Sequence, residues 1–134
     1  MGVNLKKPAI DIGIITNDPE SMVVFYRDVL GLEDRGPLKI PGGRVTQFGV
    51  GTSVLKIVQL KNPVETKAAP GGLSGATGMR YVTLWIDNVA EIVAACEAAD
   101  VTIAVPISEI APGVTIAIVE DPDGNWVELV QQAS

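Results

Sequence analysis

The chain has 134 residues, of which 47% are hydrophobic and 19% charged, and this composition is typical of a single globular domain. Its net charge of −6 and its lack of a basic cluster argue against a nucleic-acid partner. The single cysteine excludes an internal disulfide, and no apolar run is long enough to cross a membrane, so we expect a cytoplasmic protein.

The first elements along the chain are a strand and a helix. Residues 9–16 place isoleucines at alternate positions, which predicts a strand with one apolar face. Asp18 followed by Pro19 predicts a capped helix start, and apolar residues at helical spacing continue to Gly31. Two β-rich runs, residues 44–50 and 54–60, then predict a hairpin.

Residues 61–78 are rich in proline and glycine, which predicts a linker, and the pattern then begins again. Residues 81–86 alternate as a strand, and Asn88 with Glu91 three positions later is a capping-box pattern for a second helix. Further strands are predicted at 101–104, 114–120 and 126–131. The last two strands are joined by a tight turn that contains Pro122 and Gly124.

The two halves of the chain therefore match as an internal repeat. Asp18 and Asn88 lie about 70 residues apart, and the two hairpin turns have a similar offset. We expect one α+β domain, residues 1–134, of two tandem βαβββ modules, about 8–60 and about 79–132. They should form a curved mixed sheet around a central cleft, with the helices outside.

The repeat also predicts which side chains share a sheet face. The aliphatic face of each strand should lie under a helix, so the polar residues of the same strands should point to the other face. The offset pairs Asp11 with Tyr81 and Lys56 with Glu128, and Gln47 should lie opposite Lys56 in its hairpin. We expect these side chains to form one site.

Three segments resemble a known family. They are Asp11-Ile-Gly-Ile, the stretch from Phe25 to Glu33, and the stretch from Asp121 to Leu129. Together with the repeat they are similar to the vicinal oxygen chelate superfamily, which includes glyoxalase I, bleomycin-resistance proteins and extradiol dioxygenases. The resemblance implies the fold more strongly than it implies a reaction.

The resemblance implies that Asp11, Lys56, Tyr81 and Glu128 occupy the positions at which enzymes of that family hold a divalent metal. Only Glu128 fits that pattern well, because the chain has no histidine and an ammonium is a poor neighbour for a cation. We therefore expect no cofactor. If a metal were bound, its ligands would be Glu128, Asp11 and Tyr81.

Without a metal, the same four residues suit proton transfer. Two carboxylates beside one ammonium leave one negative charge in excess, so one carboxyl should titrate unusually high. Glu128 or Asp11 would then act as the base, while Lys56 and Tyr81 stabilise an enolate oxygen. The alternative is that Lys56 pairs with Asp11 or Glu128 and only stabilises the fold.

Two functions follow from these alternatives. One is a metal-independent lyase or isomerase that acts on a small carbonyl-containing or polyketide-like molecule. The other is a non-catalytic protein of the bleomycin-resistance kind that binds a small molecule. Further residues expected to contact the ligand are Gln47, Thr83, Trp85, Trp126 and Arg44, and Arg80 is a candidate for an anionic group. The linker at 61–78 is either a lid or a simple connection, and a homodimer is expected from the resemblance.

Overall fold

The structure is a computed structural model that describes residues 1–134. The chain divides into two compact units, residues 1–65 and residues 66–134, and the division falls within the predicted linker. Each unit contains one sheet and one principal helix. None of the helices has the length and apolarity that a membrane span requires.

Unit 1 forms a four-stranded sheet in the order β1-β4-β3-β2, with β1 parallel to β4 and the other pairs antiparallel. Its elements are β1 (Ile12–Ile15), α1 (Pro19–Val23), β2 (Glu33–Ile40), β3 (Gly43–Val50) and β4 (Ser53–Leu60). The strand β2 was not located in the sequence, because glycine, proline and charged residues interrupt its alternation and it is a largely exposed edge strand.

The helix α1 begins as predicted, because the Asp18 side chain accepts a hydrogen bond from the backbone N–H of Ser21. The α-helix ends at Val23, and the chain continues as a π-helical turn, Val24–Val29. The widened turn buries Phe25 and Tyr26, which pack edge to face with their ring centroids 4.7 Å apart. The apolar spacing predicted a helix here, but it gave no sign of the π turn.

Unit 2 repeats this topology, with the order β5-β8-β7-β6 and β5 parallel to β8. Its elements are β5 (Tyr81–Trp85), α2 (Val89–Ala98), β6 (Ile103–Ala111), β7 (Val114–Glu120) and β8 (Trp126–Gln132). The predicted fold class, α+β with two βαβββ modules and the helices outside the sheets, is thus confirmed.

Two local predictions in unit 2 were wrong. The strand expected at 101–104 runs to Ala111, and its pairing with β7 is interrupted by register shifts that obscure the alternation. The Asn88 side chain does not cap the backbone of α2. It donates instead to the Glu91 carboxylate at 2.8 Å, so the two side chains of the predicted capping box bond to each other.

Each helix covers the aliphatic face of its own sheet, as the repeat predicted. In unit 2, Val89, Val93 and Cys96 of α2 are buried, and so are the alternating residues Val127 and Leu129 of β8. Because β-strand side chains alternate, the residues between them, such as Glu128, point to the face opposite the helix. The helices therefore leave the polar face of each sheet free for other contacts.

Candidate functional site

Glu128 lies at the centre of the polar face of unit 2. It is on β8, with Thr83 of β5 beside it in the register on one side and Ile118 of β7 on the other. The Thr83 hydroxyl donates a hydrogen bond of 2.8 Å to Oε1 of Glu128. This bond orients the carboxylate and leaves Oε2 without a protein donor. Pairing on both sides makes the position of Glu128 rigid, as a functional carboxylate requires.

Aromatic side chains lie on the same face at both ends of the Thr83–Glu128 pair. Tyr81 is paired with Trp126, and Trp85 is paired with Val130. Tyr81 and Trp85 are 49% and 68% exposed, which is unusual for side chains of this size. The face thus presents a carboxylate and a hydroxyl between two exposed aromatic rings, which is a suitable surface for a flat or carbonyl-containing molecule.

The Trp126 side chain contacts other residues of the protein and does not present a free ring face for stacking. Its indole Nε1 donates to Oε1 of Glu120 at 3.0 Å, and its ring lies directly against Gly72. Gly72 is buried with a φ of +59°, so both its conformation and the space above it require glycine. Neither Glu120 nor Gly72 was predicted from the sequence. The position of Glu120 two residues before the turn, facing Trp126 in the hairpin, was the available signal.

The linker is more ordered than the sequence predicted. It contains a 3₁₀ turn, Gly72–Ser74, and the Arg80 guanidinium donates to the carbonyls of Gly72 at 2.7 Å and Ala69 at 2.9 Å. Asn17 in unit 1 holds the start of the linker through two hydrogen bonds to the backbone of Val64. Two of the three Arg80 nitrogens thus bind the backbone of the linker, and its role toward an anionic ligand stays a prediction.

Lys56 and Gln47 lie side by side on the polar face of unit 1. The register pairs Lys56 of β4 with Gln47 of β3 on one side and with Gly13 of β1 on the other. Both side chains are half-buried, and neither forms a hydrogen bond or an ion pair with the protein. Gly13 pairs with Lys56 in unit 1 as Thr83 pairs with Glu128 in unit 2. Unit 1 therefore has no side chain at the position where unit 2 has a hydroxyl.

Asp11 does not pair with Lys56, in contrast to one prediction. The Lys7 ammonium donates to both of its carboxylate oxygens at 2.8 and 2.9 Å, and the Val54 backbone N–H donates to Oδ1 at 2.9 Å. These bonds, first the one from Lys7 and then the one from Val54, lower the pKa of Asp11. Asp11 is consequently held ionised, the opposite of the raised pKa expected for a base. Lys7 was overlooked because it precedes the first strand.

Arg44 was predicted to lie with these residues, and the register corrects that prediction. Arg44 pairs with Gln59 and with Lys39, whereas Lys56 pairs with Gln47 three positions further along β3. Residues an odd number of positions apart point to opposite faces of a strand. Arg44 therefore points to the helix side of the sheet, away from Lys56.

The donors on these two faces do not fit a divalent metal. Unit 1 offers Lys56, whose ammonium repels a cation, and Asp11, whose oxygens already bind Lys7 and Val54. Unit 2 offers one carboxylate, Glu128, and the phenol of Tyr81. No group of three metal-binding side chains occurs in the chain, which contains no histidine. We therefore derive no chemistry from a metal.

The fold and the repeated register define a class, the two-module βαβββ proteins. Within that class, the profile of the Glyoxalase/Bleomycin resistance protein/Dioxygenase superfamily matches residues 10–129. The chain belongs to this superfamily.

Solved structures agree with this membership. Lactoylglutathione lyase from Agrobacterium tumefaciens is 27% identical, with 95% of this chain and 96% of that one covered and a TM-score of 0.65. Glyoxalase I from Leishmania major is 24% identical, with 90% and 84% covered and a TM-score of 0.67. A glyoxalase-family protein from Bacillus cereus is 12% identical over the full length of both chains, with a TM-score of 0.82. No curated protein sequence matches the chain significantly.

Proposed function

We propose that the protein is a glyoxalase-like lyase or isomerase that moves a proton on a small carbonyl-containing or polyketide-like molecule, without a metal. The observation that carries the proposal is the placement of Glu128. Its carboxylate lies on a rigid central strand, is oriented by Thr83, and has one oxygen without a protein donor. The likeness to lactoylglutathione lyase at 27% identity supports the reaction class.

Glu128 would act as the general base. Its carboxylate removes a proton from the carbon next to the substrate carbonyl, which leaves an enolate, and returns the proton to a neighbouring atom. The Tyr81 hydroxyl, on the same face, would donate a hydrogen bond to the enolate oxygen. Asp11 has no part in this step, because its lowered pKa makes it a weaker base than an ordinary carboxylate.

Deuterium exchange tests the proposal without requiring the natural substrate. The protein is incubated in D₂O with lactoylglutathione, dihydroxyacetone and pyruvate, and NMR follows deuterium incorporation at the carbon next to each carbonyl. We expect protein-dependent exchange with one of them, and a loss of about 10²–10⁴-fold in Glu128→Gln. Glu91→Gln, a change on the exposed surface of α2, is the matched control and should keep the wild-type rate. Equal exchange rates in the two variants would contradict the role of Glu128.

A non-catalytic binding protein is the second candidate, and the exposed aromatic residues favour it. Tyr81 and Trp85 next to a carboxylate, in a chain of net charge −6, suit a flat cationic ligand. Fluorescence titration with a planar cationic dye such as ethidium separates the two functions. Tight binding that Trp85→Ala weakens, together with no deuterium exchange, would favour this candidate over catalysis.

A further inference from the structure

The polar face of unit 1 contains a cationic side chain that forms no direct contact with a carboxylate. Lys56 has no hydrogen bond and no ion pair. Asp11 precedes β1 on this side of the sheet, and its carboxylate binds Lys7 at 2.8 Å and the Val54 N–H, while Lys56 has only a weaker electrostatic influence on it. The Lys56 side chain is half-buried, and its ammonium has donors available for a charge-assisted hydrogen bond to an anion.

A second donor lies next to this ammonium. Gln47 is the direct cross-strand partner of Lys56, and side chains at such positions have their Cβ atoms about 5 Å apart. The amide of Gln47 also lacks a protein partner. An ammonium and an amide N–H at this spacing can hydrogen-bond to the two oxygens of one carboxylate.

The neighbouring residue leaves room for such a group. Gly13 flanks Lys56 on the other side, and a Cβ built on Gly13 would meet no atom within 4 Å. The remaining neighbours on this face are aliphatic, with Val54 and Val58 on β4 on either side of Lys56. Asp11 is the one acidic group shown to interact electrostatically with Lys56, and it forms no ion pair with it.

We propose that Lys56 and Gln47 bind a carboxylate, or a comparable oxyanion, of a small-molecule ligand in the space over Gly13. The proposed site lies wholly within unit 1, and the inference goes beyond the proposed function without depending on it.

The test compares pyruvate with pyruvamide, which keeps the ketone but lacks the charge, in ¹⁵N-resolved NMR titrations of the full chain. We expect pyruvate to shift the Gln47 side-chain amide and the Gly13 backbone amide, and pyruvamide to bind at least tenfold more weakly. Lys56→Met should weaken pyruvate binding about 10–100-fold, and Lys56→Arg should restore part of it. Lys39→Met is the matched control, because Lys39 is paired with Arg44 on the opposite face and should bind as wild type does.

Three results would overturn the inference. These are equal binding of pyruvate and pyruvamide, unchanged binding in Lys56→Met with a native amide spectrum, and no shift of Gln47 or Gly13 with pyruvate, lactate or inorganic phosphate. The outcome is separate from that of the exchange assay. Binding that depends on Lys56 without deuterium exchange would support this site while contradicting the proposed catalysis, and exchange without such binding would do the reverse.

Discussion

Removal of the Asp121 carboxylate should destabilise the protein more than any other single change in the turn before β8. Asp121 is only 4% exposed, and its Oδ1 accepts the backbone N–H groups of Asp123 and Asn125, both at 2.9 Å. Its Oδ2 accepts Nδ2 of Asn125, also at 2.9 Å. One carboxylate thus holds the whole turn that leads into the strand of Glu128.

The magnitude follows from these bonds. A hydrogen bond to a charged group contributes about 1.5–3 kcal/mol, and water can replace part of it here, because Asp123 and Gly124 are exposed. We therefore expect Asp121→Ala to lower the free energy of unfolding by about 3 kcal/mol, which for a chain of this size lowers Tm by about 10 °C. Asp121→Asn keeps an oxygen for the two backbone donors, but its new side-chain NH₂ would face the NH₂ of Asn125. This variant should lose about 1 kcal/mol of unfolding free energy.

Urea denaturation and thermal unfolding, both followed by circular dichroism, provide the measurement. Asp123→Ala is the control, because the Asp123 side chain is exposed and accepts no hydrogen bond, so its effect should stay within about 0.5 kcal/mol. The free energy of unfolding should increase from Asp121→Ala to Asp121→Asn to the wild type. If Asp121→Ala and Asp123→Ala lose the same small amount, the carboxylate does not hold the turn and the reasoning is refuted.

Three further predictions concern other groups. Lys7 lowers the pKa of Asp11, so their ion pair stabilises the fold above a pH of about 4, and this contribution disappears as the pH falls through the lowered pKa. In urea titrations, Lys7→Met should therefore be less stable than the wild type at pH 7 but not at pH 2.5, and equal losses at both pH values would contradict this. Burial raises the pKa of the Cys96 thiol to about 11, so at pH 8 iodoacetamide should alkylate this cysteine only after the protein is denatured. Mass spectrometry would detect the alkylation, and rapid labelling of the native protein would argue against the burial of Cys96. Thermal stability should not respond to Zn²⁺, Ni²⁺ or EDTA, and a rise in Tm with either metal would mean that the donors fit a cation after all.

The sequence predicted the fold well where the signals were periodic or repeated. Three predicted local features were confirmed. They are the alternation in β5 and β8, the turn glycine at position 124 with its φ of +87°, and the Asp18 cap. The strand β2 and the length of β6 were not predicted, because both are edge strands with interrupted alternation.

Strand parity predicted which side chains share a sheet face, and the assignment of those side chains to a functional site stays a prediction. The sequence predicted Gln47 opposite Lys56, and the observed register has this pair. The pairing of Thr83 with Glu128 emerged only from the structure. Parity also puts Arg44 on the face opposite Gln47, because the two residues lie three positions apart in the same strand. The partners of Asp11 and Arg80 could not be predicted, because they involve Lys7 and the backbone of the linker, whose positions no periodic pattern specifies.

The central claim is that the protein acts on its ligand at the polar face of unit 2. An NMR titration of ¹⁵N-labelled protein with lactoylglutathione tests this most directly, because the Trp126 indole and the amides of Thr83 and Glu128 report on that face. We expect these three signals to shift together and the shifts to decrease in Glu128→Gln. Shifts confined to exposed residues of α2, such as Ala90 and Ala94, would place the ligand on the helix side and contradict the account.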